Sequence, residues 1–222
     1  MGLLRAAPQW WSRERVFIIG GGPSVKDLDP DRLLFQGKVI GINEAFLSMS
    51  ANCHIGFFGD ARWFDWNRER IIEHANIHAL PNFILTTAPL TDADLRGLPV
   101  IYNLQKAWDV PLSDDPTRLV GRCSGSQAIN LAYLCGARDI VLIGFDAHDL
   151  PTDRWQEGYW HDRHKLPPNP GQRASVQIPC FERMAEALAE KGVMVTNATP
   201  GSALKCFPYQ PLEEILDADV SF

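Results

Sequence analysis

Apolar residues in this chain fall into short continuous runs rather than strict alternation. Val16–Ile19, Lys38–Ile42, His54–Phe58, Phe83–Thr86, Val100–Asn103, Ile140–Ile143 and Val193–Thr196 are such runs, rich in β-branched and aromatic side chains. Runs of this kind predict strands covered on both faces, and therefore a parallel sheet flanked by helices. Between them, Ala61–His74, Ser124–Cys135 and Val176–Lys191 carry helical spacing. Asp29-Pro30-Asp31 reads as an N-cap followed by proline at the first position of a short helix. Strands alternating with helices predict an α/β fold, Rossmann-like and doubly wound, with a mostly parallel sheet. No internal repeat or low-complexity run interrupts it.

The rhythm breaks once, from Ala147 to Arg173. This stretch lacks periodicity but is dense in charge, histidine, aromatics and proline. A connection of that length inside a compact domain is functional or disordered, and its aromatic content argues against plain disorder. Residues 147–175 are therefore expected to form a lid over the carboxyl edge of the sheet. The whole chain, 1–222, is expected to be one nucleotide-binding α/β domain.

The first strand runs into Gly20-Gly21-Gly22-Pro23-Ser24. Glycine lets a ligand approach the backbone without meeting a Cβ, and proline is preset for a first helical turn. Free amides at the start of a helix suit a phosphate, so the turn predicts nucleotide binding. The motif is neither G-x-G-x-x-G nor a P-loop, and a plain tight turn is its rival reading. Asn43, Asp60, Ser124-Gly125-Ser126, Asp146 and Asn197 also follow strands or start helices. In an open parallel sheet all of these would meet at the carboxyl edge, where ligands bind.

Each candidate has a simpler alternative. The Asn43 amide suits a base edge or ribose hydroxyl, or satisfies its own loop. Asp60 and Asp146 could bind ribose hydroxyls, position an acceptor or hold magnesium; capping the next helix is a strong rival for Asp60, whereas Asp146 precedes no clear helix and is the better catalytic candidate. Ser124 is an expected N-cap whose helix N-terminus could bind phosphate with Arg122 adding charge. His161 and His164 could take a proton from an acceptor hydroxyl, and Tyr159 could donate to a departing phosphate; surface histidines without a role are the alternative. The H-x-x-H spacing lacks a third ligand, so no metal site is expected there.

Composition narrows the classes. Of 222 residues, 45% are apolar and 22% charged, which suits a soluble globular protein. A net charge of −6, without long basic runs, argues against sequence-blind nucleic-acid binding. No apolar run is long enough to span a membrane, and the first 15 residues lack the core of a secretory signal. The five cysteines lack C-x-x-C spacing, so reduced thiols in a cytoplasmic protein are expected. Trp10 and Trp11 are expected to cap an edge of the fold or to support a homo-oligomer contact.

Ile18 to Lys26 with its Gly20–Ser24 turn, followed by Gly41-Ile42-Asn43-Glu44-Ala45-Phe46, resembles the opening of bacterial lipooligosaccharide sialyltransferases. Ser124-Gly125 with its Ala-rich helix, Gly136 to Asp146, and Asn197 with Ser202-Ala203-Leu204 also look like that family. The G-x-G-P-S pattern is similar to a wider group, including archaeal 6-hydroxymethylpterin pyrophosphokinases and many phage-encoded proteins. Phe58 to Trp63 most resembles the last of these. The sialyltransferase resemblance implies a CMP-type nucleotide-sugar donor and no metal. It implies Asn43 and Ser124 near the nucleotide, His161 or His164 as general base, and Tyr159 at the leaving phosphate. Gly21 replaces an Asn of that family, and Gly59-Asp60 replaces an Asn-Pro. Both departures argue against CMP-sialic acid itself, and Asp60 points towards another nucleotide sugar or a metal-assisted transfer.

These readings predict a nucleotide-dependent transferase, chiefly a glycosyltransferase moving sugar from a nucleotide donor to a hydroxyl-bearing acceptor. The alternatives are a Mg2+-dependent pyrophosphoryl transferase using Asp60 and Asp146, and a non-catalytic nucleotide or sugar binder.

Overall fold

A computed structural model of the chain describes residues 6–12, 14–76, 81, 83–91, 94–98, 101–151, 153–167 and 169–218. Seven strands form one all-parallel sheet: β1 (Arg15–Ile19), β2 (Lys38–Ile42), β3 (Ile55–Phe58), β4 (Phe83–Thr86), β5 (Ile101–Asn103), β8 (Asp139–Ile143) and β9 (Met194–Asn197). Their order is β5-β4-β3-β2-β1-β8-β9. From β1 the chain steps outward through β2 to β5, then crosses back to place β8 on the other side of β1. The gap between the ends of β1 and β8 is thus the switch point of a doubly wound sheet. Strand β6 (Gln105–Ala107) and strand β7 (Arg118–Val120) form a separate parallel pair that the apolar pattern does not announce.

Alternation along each strand divides the core into two layers. Val16, Ile18, Ile40 and Ile55 pack with helix α3 (Ser124–Leu134) and helix α4 (Ile178–Glu190), through residues such as Ile129, Met184 and Leu188. Phe17, Ile19, Val39 and Phe58 face helix α1 (Glu44–Ser48) and helix α2 (Ala61–Asn76) instead. On that face Phe46, Phe58, Trp63 and Phe64 form an aromatic cluster with ring centroids 5.3–6.4 Å apart. Helix α5 (Leu212–Asp217) adds Ile215 and Leu216 to the same layer.

Several expectations need correction. Trp11 is only 4% exposed and packs within the core, whereas Trp10 lies 4.2 Å from the Phe83 ring and is 46% exposed. The expected helix from Val176 begins as a π-turn over Arg173–Gln177 before α4 proper. The strand expected at Val100 begins at Ile101, Val100 itself lying outside the described residues. The glycine turn opens only a five-residue 3-10 helix, Pro23–Asp27. Among the described residues, no helix is long and apolar enough to cross a membrane.

Candidate functional site

A cavity of about 780 Å³ opens at the switch point. Its walls include Gly20, Gly21, Gly22, Pro23, Asn43, Asp60, Arg122, Ser124, Gly125, Asp146, Tyr159 and His164, so the fold brings these predicted residues together. Ser24, His161 and Asn197 are not on its wall. Asn197 is 1% exposed, and its carboxamide oxygen accepts from the Thr199 amide at 3.1 Å, so it serves its own turn.

The glycine turn is shaped by close packing against the end of β8. The Gly22 amide donates to the Gly144 carbonyl at 2.9 Å. A Cβ on Gly22 would lie 1.8 Å from an Asp146 carboxylate oxygen and 2.7 Å from the Gly144 carbonyl oxygen. A Cβ on Gly21 would meet only the Tyr159 ring, at an ordinary 3.7 Å. Asp146 accepts from the Ser24 hydroxyl at 2.8 Å and from the Ser24 amide at 3.3 Å. The first free amide after the turn is therefore already answered by a carboxylate of this chain. At Ser24, therefore, Asp146 from a neighbouring strand end stands where an anion is expected.

The helix N-terminus that remains open is that of α3. Its N-cap is Cys123, not Ser124: the Ser126 hydroxyl accepts from the Cys123 amide at 3.2 Å and closes a capping box. Ser124 thus sits one residue inside the helix, with its hydroxyl free of capping duty. Burial pushes the Cys123 thiol above its ordinary pKa, which works against a thiolate nucleophile. Asp60 caps α2 by accepting from the Arg62 amide at 2.9 Å and pairs with the Arg62 guanidinium at 2.8 Å. Burial would raise its carboxyl, but the Arg62 hydrogen bonds outweigh it and the net shift is downward.

Asn43 follows β2 with φ 53° and ψ −117°, a strained backbone for any residue with a side chain. Its carboxamide oxygen is buried and has no hydrogen-bond partner among the described residues. A buried acceptor left unpaired costs about 1–3 kcal/mol, so both backbone and side chain here carry a cost that packing alone does not explain.

Described residues of the 147–175 stretch, among them Tyr159, His164 and Arg173, also line the cavity. The Trp160 amide donates to the Gly21 carbonyl at 3.3 Å, which fastens this segment to the glycine turn. His164 stacks on Tyr159 with centroids 4.4 Å apart, and Trp66 and Trp155 present their edges at 5.7 and 5.9 Å. Its Nδ1 lies 2.8 Å from the Leu166 carbonyl oxygen, which can only accept. Nδ1 therefore carries the proton and Nε2 keeps a lone pair. His161 is arranged the other way, its Nδ1 accepting from the Arg163 amide at 3.2 Å. Burial lowers the pKa of both rings. It raises that of Tyr159, with Arg173 opposing.

Two groups escaped the sequence reading. Arg173 lies 5.5 Å over the Tyr159 ring and lines the cavity, but in the sequence it only marks the end of an irregular stretch. Glu44 is 1% exposed and accepts from Arg70 at 2.7 and 2.8 Å, from Ser48 at 2.5 Å, and from Arg163. Burial would raise its carboxyl; Arg70, Ser48 and Arg163 hold it down at about 2. Nothing in its sequence neighbourhood distinguishes it from an exposed first-turn glutamate.

Solved structures share this arrangement of sheet and helices. The sialyltransferase CstII from Campylobacter jejuni, in complex with cytidine-5'-monophosphate, matches with a TM-score of 0.56 at 15% identity, over 89% of this chain and 85% of its own. The chain shares the fold of that protein. CstII with a trisaccharide acceptor and CMP gives 0.52 at 15% identity, over 87% of this chain and 84% of that one. The MAf glycosyltransferase from Magnetospirillum magneticum AMB-1 gives 0.60 at 11% identity, over 97% of this chain but 38% of its own. At such identities the likeness is one of fold. No protein-family model and no curated protein matches the chain.

Proposed function

We propose that this chain is a glycosyltransferase that binds a nucleotide-sugar donor in the switch-point cavity and transfers the sugar to an acceptor hydroxyl. The observation that carries the reading is Asn43, whose strained backbone holds an unpaired buried oxygen at the cavity wall. A base amine or ribose hydroxyl would supply the missing donor. Strain and an orphaned acceptor at one residue are costs that binding can offset. The likeness in fold to CMP-binding CstII favours a cytidine nucleotide.

In this reading the His164 Nε2 takes the proton from the acceptor hydroxyl. The acceptor oxygen forms a bond to the anomeric carbon as the bond from that carbon to the phosphate oxygen breaks. The departing phosphate keeps the electron pair, facing the N-terminus of α3 at Ser124-Gly125, with Tyr159 and Arg173 across the cavity. His164 serves better than His161, which is off the cavity wall and whose Nδ1 lone pair is already engaged. Residues 147–175 act as the lid. Asp60 and Asp146, which a magnesium-dependent transfer would use, are engaged with Arg62 and Ser24.

Thermal-shift titration of the full chain with CMP, UMP, GMP and AMP, and with their sugar conjugates, tests this. A cytidine nucleotide should raise the melting temperature, and Asn43→Ala should abolish that rise. No shift with any nucleotide would overturn the proposal.

A further inference from the structure

Strands β6 and β7 run parallel, with Ala107 opposite Val120. Parallel strands release their chains at the same edge, so the residues that follow them emerge side by side. Trp108 and Arg122 do so: the guanidinium carbon lies 6.0 Å from the indole centroid. Trp108 is nevertheless 56% exposed, an unusual position for the largest apolar side chain. Lys106, one turn of the pleat earlier, lines the switch-point cavity as Arg122 does, and it also borders an open groove with Trp108, Asp109 and Arg118. The cavity and the groove therefore share Lys106 as a wall residue.

The charges along this rim are unevenly satisfied. Asp109 pairs with Arg118 at 2.5 Å, and Asp60 pairs with Arg62 at 2.8 Å. Among the described residues, neither Lys106 nor Arg122 has a carboxylate within ion-pair distance. Two cations without an ion-pair carboxylate, Lys106 acting on Asp60 only at longer range and Arg122 lying over the exposed indole, make a surface with a definite chemistry at the mouth of a larger cavity. The indole face accepts the C–H face of a pyranose ring, and a cation at its border accepts an anionic substituent.

We propose that Lys106, Trp108 and Arg122 form the acceptor subsite, and that the acceptor is an anionic sugar. This rests on the glycosyltransferase reading above and adds to it the class of acceptor. The sugar stacks on Trp108 with its carboxylate or phosphate against Lys106. The hydroxyl to be glycosylated then points through the cavity mouth towards His164. Arg122 lies over the indole and steadies it for stacking. The donor's place, between the glycine turn, Asn43 and the start of α3, is left clear.

Saturation-transfer NMR on the full chain, with methyl β-D-glucuronide, glucose 6-phosphate and neutral methyl β-D-glucoside as probes, tests the subsite. The wild type should bind at least one anionic probe about tenfold more tightly than the glucoside, and which one does so identifies the anion. Trp108→Ala should lose all binding. Lys106→Gln should retain weak binding and lose the preference for charge. CMP binding, measured in the same variants, should stay within about twofold of wild type if both remain folded. Equal binding of the three probes, or unchanged binding by Trp108→Ala, would overturn the subsite even where CMP binds normally. Anionic-sugar binding at Trp108 in a chain that binds no nucleotide would instead overturn the acceptor role, and with it the reading on which it rests.

Discussion

The buried carboxylate of Glu44, the first residue of α1, accepts a hydrogen bond from Arg163, a residue 119 positions away in the chain. Glu44 immediately follows Asn43, and Arg163 immediately precedes His164. One ion pair thus joins the residue beside the proposed nucleotide contact to the residue beside the proposed base. Arg70 from α2 holds the same carboxylate from within the fold. Arg163 is half exposed and can leave without stranding a bare charge.

Arg163→Gln should therefore cost less than about 1 kcal/mol of stability, as exposed partners do. Protease cleavage within residues 147–175 should accelerate at the same time. Glu44→Gln should cost about 3 kcal/mol or more, because two arginines lose their shared counter-charge. Urea unfolding and limited proteolysis of both variants check this. Equal stability loss in both would contradict the asymmetry.

The acid limb of stability should trace to the same carboxylate. Glu44 titrates near 4.5 when free and at about 2 in the fold. Its contribution is present above 4.5 and is lost as pH falls towards 2, amounting to roughly 3 kcal/mol at most. Glu44→Gln should flatten that limb in unfolding curves taken between pH 5 and pH 2.

The histidines act on the neighbouring pH range. Burial lowers His54, His161 and His164 below the ordinary 6.5, so the unfolded chain binds protons first. Stability should hold above 6.5 and decline as pH falls below it. Transferase activity should persist somewhat below 6.5, because the His164 base stays neutral there. His164→Gln should lose about 10²-fold or more in kcat while nucleotide binding is kept, and His161→Gln should lose far less. Steady-state rates with the donor identified by thermal shift decide between them.

Adjacent glycines should respond in opposite ways. Gly22→Ala drives a methyl into Asp146 and the Gly144 carbonyl, so it should cost about 3 kcal/mol and close the turn to ligand. Gly21→Ala meets only the Tyr159 ring and should stay within about 0.5 kcal/mol. Melting temperatures of the two variants provide the check.

Asn43 offers the reverse trade. Asn43→Gly relieves a positive φ and removes an unpaired buried oxygen, so the free protein should gain about 1 kcal/mol. Nucleotide binding should weaken about tenfold or more in the same variant. A variant both more stable and equally competent in binding would show that Asn43 has no ligand to serve.

The apolar runs fixed the α/β class and the seven main strands, because a strand buried on both faces must be continuously apolar wherever it lies. Glycine and proline after Ile19 marked the turn, since few other residues tolerate so close an approach. Partners distant in the chain were another matter. Ser24 and Asp146, and Glu44 and Arg163, meet only because the sheet reverses its strand order between β1 and β8 and the chain after β8 folds back across that gap. The short β6–β7 pair has too few apolar residues to stand out in sequence, yet it sets Lys106, Trp108 and Arg122 on one rim. Local spacing encodes which segments are buried, whereas hydrogen-bond and charge partners depend on contacts that closing the fold creates.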